Sequence, residues 1–330
     1  MHLYKRDISL FKPLIMKYLF VLVSFFAIVW HTNAQNGLII SNNLVIYPDS
    51  IIKQRVSKSP AFQLIFDETE THDITYLSTG LKIKGFVIQP KKPGKYPCLI
   101  FCRGGHEDFG SIDLWTTSAL ADIARHGYVV IASQLRGSPG SDGKDEFGGA
   151  DTSDVINCIP ALAHLPYADT SRIGIYGISR GGMNALQVLR SQKSIKAAII
   201  NSGLVNAFDN IERKDGAGFE KEIYQRLIPD YQTEKQKQLM LRSALYWPEM
   251  ICKTTPLLIM QGTSDWRVDA AGTIKLAEKL YALKQPMRLV LVEGGTHGLR
   301  LPIRDNMLLE WLDRYVKNKT PLPDMTLHGE

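Results

Sequence analysis

Short apolar segments alternate with amphipathic segments over most of the chain, and this alternation predicts the fold. Six segments are apolar at nearly every position, which is typical of strands buried on both faces of a parallel sheet; they are residues 98–102, 128–133, 173–176, 195–201, 256–260 and 288–292. Between them, helical spacing predicts helices at residues 113–125, 152–164, 181–191, 270–283 and 305–317, the last with Asp305 as its cap. Strands that alternate with helices form right-handed βαβ units, so we predict a three-layer α/β sandwich with a mostly parallel sheet.

Two regions depart from this alternation. Before it, residues 35–60 give mixed signals and predict only a short leading segment, and β-type runs follow at residues 62–66, 74–77 and 81–89. Within it, residues 204–254 form a polar insertion with helical character. We interpret this insertion as a small helical cap at the carboxyl ends of the strands, where open sheets bind their ligands.

The first 34 residues predict an export signal. Residues 18–30 form an uncharged apolar run that follows four basic residues, and residues 32–34 provide a small-residue site for cleavage before Gln35. A helix of this length rises only about 20 Å against a hydrocarbon core of roughly 30 Å, which argues against the alternative of a stable membrane anchor. Met16 is an alternative start of the same signal. We therefore predict a signal peptide at residues 1–34, one α/β domain at residues 35–330, and a periplasmic or extracellular location.

Composition and charge exclude several classes of protein. The 330 residues are 45% hydrophobic and 22% charged, which excludes a disordered, collagen-like or coiled-coil chain. The formal charge is +6, but it falls to +3 once the signal is removed, so no nucleic-acid partner is predicted. The four cysteines are interpreted as buried small hydrophobes, with a bridge involving Cys158 or Cys252 left open in an oxidising compartment.

A candidate nucleophile lies in the sequence GISRGG at residues 177–182. It follows a predicted strand and opens a predicted helix, and a serine at such a turn is held in a strained backbone with its hydroxyl exposed at the top of the sheet. The glycines two residues before and after Ser179 allow the close approach of the chain that this turn requires. A tight structural turn is the alternative interpretation.

A serine hydroxyl needs a base and an acid that orients the base, and in this fold they follow in the order serine, acid, histidine. Only His297 and His328 follow Ser179, and His297 lies in a glycine-rich loop directly after a predicted strand, whereas His328 lies in the polar C-terminal tail. Asp265 follows the preceding strand and is the predicted acid. Its competitor, Asp269, is placed as the N-cap of the next helix.

Acyl transfer also needs hydrogen-bond donors for the oxyanion. We expect one from the backbone N–H of Arg180 and another from the loop at residues 102–108, which reads CRGGHED. In this loop Arg103 is expected to donate by its main chain or side chain, and Gly104 to let the backbone approach the substrate.

Other candidate residues carry weaker signals. Trp266, beside the predicted acid, and Tyr246 and Trp247, at the end of the insertion, are candidates for a substrate pocket, although single aromatic residues are more often core. Arg136 is interpreted as a loop anchor, with a substrate clamp as the alternative. The acidic and histidine residues at positions 106–108 are adjacent and poorly spaced for one metal centre, so no metal is predicted.

The combined motifs resemble the catalytic domain of the prolyl oligopeptidase family. The resemblance runs from about residue 81 to residue 316 and is carried by GISRGG, GTSDWRV at 262–268, THG at 296–298, QLRGSPGS at 134–141 and FGGAD at 147–151. It implies an α/β-hydrolase fold, no cofactor, and a catalytic triad of Ser179, Asp265 and His297. Members of the family usually carry an N-terminal β-propeller, which the residues before Leu81 are too few to form, and many place a tyrosine in the oxyanion loop where this chain has CRGG.

The leading hypothesis is therefore an exported serine hydrolase that forms an acyl-enzyme, most simply a prolyl-oligopeptidase-type serine peptidase acting on small peptides. The alternative with the same chemistry is a carboxylesterase, such as a carbohydrate or xylan acetyl esterase. A third hypothesis is a catalytically silent binding module, whose mark would be a missing triad residue, and none is missing. The sequence does not indicate an oligomeric state.

Overall fold

A nine-stranded sheet forms the centre of the protein, which is described here from a computed structural model of residues 35–299 and 302–327. Its strands are β1 (Ile39–Leu44), β2 (Thr69–Ser78), β3 (Leu81–Pro90), β4 (Tyr96–Cys102), β5 (Val129–Ser133), β6 (Ala168–Ile178), β7 (Ile195–Asn201), β8 (Leu257–Gly262) and β9 (Met287–Val292). Their spatial order is β1-β2-β3-β5-β4-β6-β7-β8-β9. The strands β1, β2 and β3 are antiparallel to their neighbours in the sheet. The six strands β4 to β9 run parallel to one another.

Helices cover both faces of this sheet. They are α1 (Asp49–Val56), α2 (Gln63–Glu68), α3 (Leu114–Arg125), α4 (Thr152–Ile156), α5 (Cys158–Ala163), α6 (Arg180–Val188), α7 (Asp209–Glu212), α8 (Gly216–Phe219), α9 (Gln225–Leu227), α10 (Tyr231–Leu241), α11 (Ala270–Ala282) and α12 (Pro302–Leu312). Alternate residues of β4 point into two separate cores, one on each face of the sheet. Cys98 and Ile100 point into the first core, which α4, α5, α6 and α11 complete. Leu99 and Phe101 point into the second core, which α3 and α12 complete. The predicted three-layer sandwich and α/β-hydrolase fold are thus confirmed.

The predicted strand at residues 62–66 is wrong. A 3-10 turn over Pro60–Phe62 leads instead into α2, in which Ile65 is buried and Leu64 is exposed. Short apolar runs do not distinguish a strand from a helix by periodicity, and the proline at the start of the turn favours helical geometry. The leading segment at residues 35–60 also contains more structure than expected, namely the edge strand β1 and helix α1.

Helix boundaries differ from the predictions in two places. The helix predicted at residues 152–164 is divided into α4 and α5 at Asn157. The helix predicted from Asp305 begins at Pro302, so Asp305 lies in its first turn and is not its cap; residues Asp313–Lys317 continue it as one π-helical turn.

The insertion at residues 204–254, called the cap below, is confirmed as helical and contains α7 to α10. Its apolar residues form a third core with Phe147 and Met183 of the main domain. Phe147 makes edge-to-face contact with the ring of Tyr224 of the cap, at a centroid distance of 5.3 Å. The cap is therefore packed onto the main domain beside the start of α6.

The four cysteines are free thiols. Cys98, Cys102 and Cys158 are buried in the sheet core, as predicted, and burial raises the pKa of Cys98 and of Cys158 to about 12. Cys252 is half-buried, and the bridge left open by the sequence is not formed.

The predicted signal peptide at residues 1–34 and His328 lie outside the described residues. Among the helices that the structure describes, none is both long enough and apolar enough to cross a membrane.

Candidate active site

Ser179 forms the sharp turn between β6 and α6. Its backbone has a φ of 57° and a ψ of −126°, a region that residues with a side chain rarely adopt. Two glycines make the turn sterically feasible: a Cβ on Gly177 would lie 2.2 Å from the carbonyl oxygen of Gly181, and a Cβ on Gly181 would lie 2.0 Å from the carbonyl oxygen of Cys102. The GISRGG sequence therefore adopts the strained strand–turn–helix geometry that presents a serine hydroxyl above the sheet.

His297 and Asp265 come from the loops that follow β9 and β8. The Nδ1 atom of His297 lies 2.9 and 3.0 Å from the two carboxylate oxygens of Asp265. This bond assigns the proton to Nδ1 and leaves Nε2 as the nitrogen available to Ser179. His297 and Ser179 line the same cavity.

Asp265 is held by several donors at once. Its carboxylate also accepts hydrogen bonds from the backbone N–H groups of Arg267 (2.9 Å) and Val268 (3.0 Å) and from the side chain of Gln261 (3.2 Å). Burial raises the pKa of Asp265, but the bonds from His297 and the two backbone N–H groups outweigh it, so the pKa lies below its ordinary value. The group therefore stays ionised beside His297 at neutral pH.

The competitor Asp269 occupies a different role. Its side chain accepts the backbone N–H of Ala271 at 2.8 Å and caps the N-terminus of α11. The structure thus brings Asp265, and not Asp269, to His297.

Gly104 lies directly beside the serine. A Cβ built on Gly104 would approach the Cβ of Ser179 to 3.1 Å and its Oγ to 3.7 Å. Arg180 is the first residue of α6, so its backbone N–H has no acceptor within the helix and lies next to the serine. Both predicted sources of backbone donors therefore flank the hydroxyl.

The side chain of Arg103 is not available to a substrate, which corrects one of the two roles expected for it. It is buried and donates to the backbone carbonyls of Gln134 (2.9 Å), Phe109 (3.1 Å) and Glu107 (2.6 Å). Burial lowers the pKa of Arg103 to about 10. The guanidinium therefore shapes the loop at residues 103–110, called the oxyanion loop below, from inside the protein.

The side chain of Arg180 is also buried, and its role was not predicted. Its guanidinium lies 2.7 Å from Asp145 and 2.8 Å from Asp151, and it donates to the carbonyl of Gly105 at 3.0 Å. Burial lowers the pKa of Arg180 and the two carboxylates raise it, with a net value above the usual one. Asp145 also accepts the backbone N–H of Glu107 at 2.8 Å. The residue after the candidate nucleophile thus ties the oxyanion loop to the start of α6.

The cavity beside Ser179 has a volume of about 370 Å³. The main domain contributes Phe147 and Val268, and the cap contributes Leu204, Phe219 and other residues. Trp266 lines the cavity as predicted and is 66% exposed. The wall near the serine is therefore largely apolar.

Charged residues lie at the same cavity and were missed from the sequence. They are Arg213 and Asp215 of the cap and Arg267 beside the acid. Arg213 lies 2.7 Å from Asp215 and donates to the backbone carbonyl of Arg267 at 3.1 Å. Because polar residues occur along the whole cap, no pattern in its sequence distinguishes the charged residues that line the cavity.

Tyr246 and Trp247 do not line this cavity. Trp247, near the end of the cap, is buried in the first core of the sheet, and its Nε1 donates to the carbonyl of Met240 at 3.0 Å. Tyr246 packs against Phe208. Arg136 forms a buried ion pair with Asp154 at 2.8 Å, which favours its interpretation as a loop anchor over a substrate clamp.

The acidic and histidine residues of the oxyanion loop serve other contacts. Glu107 forms a two-pronged ion pair with Arg226 of the cap, at 2.7 and 2.6 Å. Over residues 35–299 and 302–327, no three His, Cys, Asp or Glu side chains are grouped so that they could hold a metal ion.

Comparisons with known proteins agree with this architecture. The sequence profile of the prolyl oligopeptidase family matches residues 112–319, more than half of the chain. The uncharacterized peptidase YtmA of Bacillus subtilis is 26% identical over 269 residues, which cover 82% of this chain and 100% of YtmA.

Solved structures show the same fold. The acylaminoacyl peptidase of Pyrococcus horikoshii superposes with a TM-score of 0.66 at 23% identity, over 80% of this chain and 45% of that one. An acetyl xylan esterase from Paenibacillus sp. R4 superposes with a TM-score of 0.63 at 18% identity, over 86% of this chain and 92% of the esterase. This chain thus spans less than half of the peptidase and nearly all of the esterase.

Proposed function

The chain belongs to the prolyl oligopeptidase family of hydrolases, and we propose that it is a serine peptidase with Ser179 as nucleophile, His297 as general base and Asp265 as the acid that orients His297. The observation that carries the proposal is the bond from Nδ1 of His297 to Asp265, which leaves Nε2 free in the cavity that Ser179 also lines. The similarity of the chain to YtmA, named a peptidase, supports peptide substrates over other acyl compounds.

The reaction follows from this arrangement. Nε2 of His297 takes the proton of the Ser179 hydroxyl as Oγ attacks the substrate carbonyl, and Asp265 stabilises the resulting imidazolium. The oxyanion is stabilised by backbone N–H groups of Arg180 and of the oxyanion loop at Gly104. The imidazolium returns its proton to the leaving amine, and a water molecule, deprotonated by His297, then releases the acyl group from Ser179.

The cap and the cavity limit the size of the substrate. A cavity of about 370 Å³ is at the lower end of the range for small-molecule sites. Leu204 and Phe219 of the cap form part of its wall, so the cap closes part of the cavity with apolar side chains. We therefore expect short peptides with an apolar residue on the acyl side of the cleaved bond.

A fluorophosphonate probe tests the nucleophile. We expect stoichiometric labelling of the folded protein, and none of Ser179→Ala. Labelling that persists in Ser179→Ala, or a folded wild-type protein that does not react, would overturn the proposal. Arg213→Ala, which changes a charged residue of the same cavity, is the matched control and should still be labelled.

A carboxylesterase is the second candidate. The same three residues cleave esters, and the apolar wall beside Ser179 fits an acyl chain as well as a side chain. A panel of short peptide anilides and nitrophenyl esters distinguishes the two. Peptidase activity predicts hydrolysis of at least one peptide anilide by the wild type and none by Ser179→Ala, whereas hydrolysis of the activated esters alone would favour the esterase.

We also propose that the protein is exported to the periplasm or the extracellular medium. The support is the sequence order of basic residues, a short apolar run and small residues before Gln35. Fractionation of producing cells, followed by N-terminal sequencing, should find a mature chain that begins at Gln35. A chain that retains residues 18–30 in the membrane fraction would instead indicate an uncleaved anchor.

A further inference from the structure

Asn201 and Ser202 lie between the serine and the histidine. Asn201 is the last residue of β7 and Ser202 directly follows it; β7 lies between β6, which leads to Ser179, and β8, which leads to Asp265. Both residues are fully buried, and neither lines the substrate cavity. Their polar groups are therefore directed at the protein and not at a substrate.

The backbone of this segment holds the nucleophile. The carbonyl of Asn201 accepts the backbone N–H of Ser179 at 3.0 Å, and the backbone N–H of Leu204 donates to the carbonyl of Ser179 at 3.0 Å. The strained turn at Ser179 is thus fixed on both sides by the last residue of β7 and by Leu204, three residues later.

The side chains of the same segment hold the loop of the base. Nδ2 of Asn201 donates to the carbonyl of Gly298 at 2.9 Å, and the backbone N–H of Gly298 donates to Oγ of Ser202 at 3.0 Å. The backbone carbonyl and the backbone N–H of Gly298, the residue directly after His297, are therefore bound by the adjacent residues Asn201 and Ser202.

The backbone of Ser202 is strained at the position from which its side chain makes this contact. Its φ is 47°, in the left-handed region that favours glycine, although the residue bears a side chain. A glycine would adopt this conformation without strain but would lack the oxygen that accepts the N–H of Gly298. The strained serine is therefore explained by the hydrogen bond of its Oγ.

We propose that Asn201 and Ser202 are positioning residues that set the distance and direction between Ser179 and His297. This inference rests on the proposed function of those two residues. One short segment is bonded to the backbone of the nucleophile and to the loop of the base, so a shift of either catalytic group relative to the other must break one of its hydrogen bonds. Asp265 fixes the rotation of the imidazole, whereas Asn201 and Ser202 fix the loop that carries it.

Substitution of Ser202 separates positioning from folding. Ser202→Gly removes the acceptor and also relieves the backbone strain, so the variant should fold with an unchanged or raised Tm. We expect kcat to fall about 10- to 100-fold, with KM within about twofold of wild type. Ser202→Ala lacks the acceptor but keeps the backbone strain. It should show the same loss of kcat as Ser202→Gly, with a Tm below that of Ser202→Gly. Lys284→Gly is the control, because Lys284 has a φ of 57° in a distant turn, and its kcat should not change.

The imidazole proton provides a readout that does not depend on turnover. With ¹⁵N-labelled histidine, the Nδ1 proton of His297 should exchange with water faster in Ser202→Gly than in wild type, because the loop is released. A variant with wild-type kcat and wild-type proton exchange would overturn the inference. A wild-type protein that is unreactive toward fluorophosphonate would overturn the proposed function instead, and the exchange measurement would still decide whether Ser202 holds the loop.

Discussion

Replacement of Asp265 by asparagine tests the assignment of the acid, and the structure determines which atoms change. Two backbone donors, Arg267 and Val268, both point at Oδ1, so the amide oxygen of the variant takes that position. The amide nitrogen then replaces Oδ2, which faces Nδ1 of His297 at 2.9 Å and Nε2 of Gln261 at 3.2 Å. A donor would face two donors, so the imidazole must move its proton to Nε2, the nitrogen that should accept the proton of the serine.

The wrong tautomer should lower kcat about 10⁴-fold, equivalent to roughly 5.5 kcal/mol of transition-state stabilisation. The free energy of unfolding should fall by only about 1–2 kcal/mol, because the side-chain shape and the two backbone hydrogen bonds remain. Hydrolysis of the best substrate, normalised to folded protein by circular dichroism, measures the first effect, and urea unfolding measures the second.

Asp269→Asn is the matched control, because asparagine caps a helix as well as aspartate does, and its kcat should stay within about twofold of wild type. The reasoning would be refuted if Asp265→Asn retained kcat within tenfold of wild type, or if Asp269→Asn lost as much activity.

Three further predictions concern the surroundings of the serine. Arg180→Met should lower the free energy of unfolding by about 3–5 kcal/mol in a urea titration, because it leaves two buried carboxylates uncompensated; a loss under 1 kcal/mol would contradict the buried network. Glu107→Gln should cost at most about 0.5 kcal/mol, because the ion pair with Arg226 is part-exposed. The hydrogen bond from Arg226 lowers the pKa of Glu107. The stability that the ion pair contributes is therefore complete above pH of about 4.3, and it should vanish as the pH falls through the lowered pKa. A stability difference between Glu107→Gln and wild type that persists in acid would contradict this reasoning. Gly104→Ala adds a methyl 3.1 Å from the Cβ of Ser179 and should lower kcat/KM about 10- to 100-fold, with the Tm nearly unchanged; full activity would place the substrate elsewhere.

The sequence predicts the sheet, and it also predicts which aspartate lies beside His297, because both follow from local patterns. The parallel strands are buried on both faces, so each reads as a continuous apolar run, and β4 and β7 were found with nearly correct bounds. The chain order of serine, acid and histidine restricts the base to two candidates, and the expected position of the acid, after the strand that precedes the strand of the histidine, restricts it to Asp265 and Asp269. The short helix α2 was mistaken for a strand, because five residues contain too few turns for a helical period to be recognised.

The contacts around the site could not be predicted, because they join residues that are distant in the sequence. Arg180 and Asp145 are 35 residues apart, and Glu107 and Arg226 are 119 apart. Asp145 lies in a polar, glycine-rich segment that has no periodicity and gives no sign of burial. Even a positive φ at Ser202 leaves no mark in the sequence, since the residue there is not glycine.

Phe147 contacts both Arg180, the first residue of α6, and the cap. Its ring lies beside the Arg180 guanidinium at 4.8 Å and contacts the cap ring of Tyr224, while Arg242 of the cap donates to its carbonyl at 2.7 Å. Both Arg180 and the cap are therefore held by contacts with Phe147. A cap that moved far from the main domain would have to break this buried hydrogen bond and expose the third core, which is costly in free energy. These contacts therefore oppose displacement of the cap and hold Leu204 and Phe219 in the wall of the cavity.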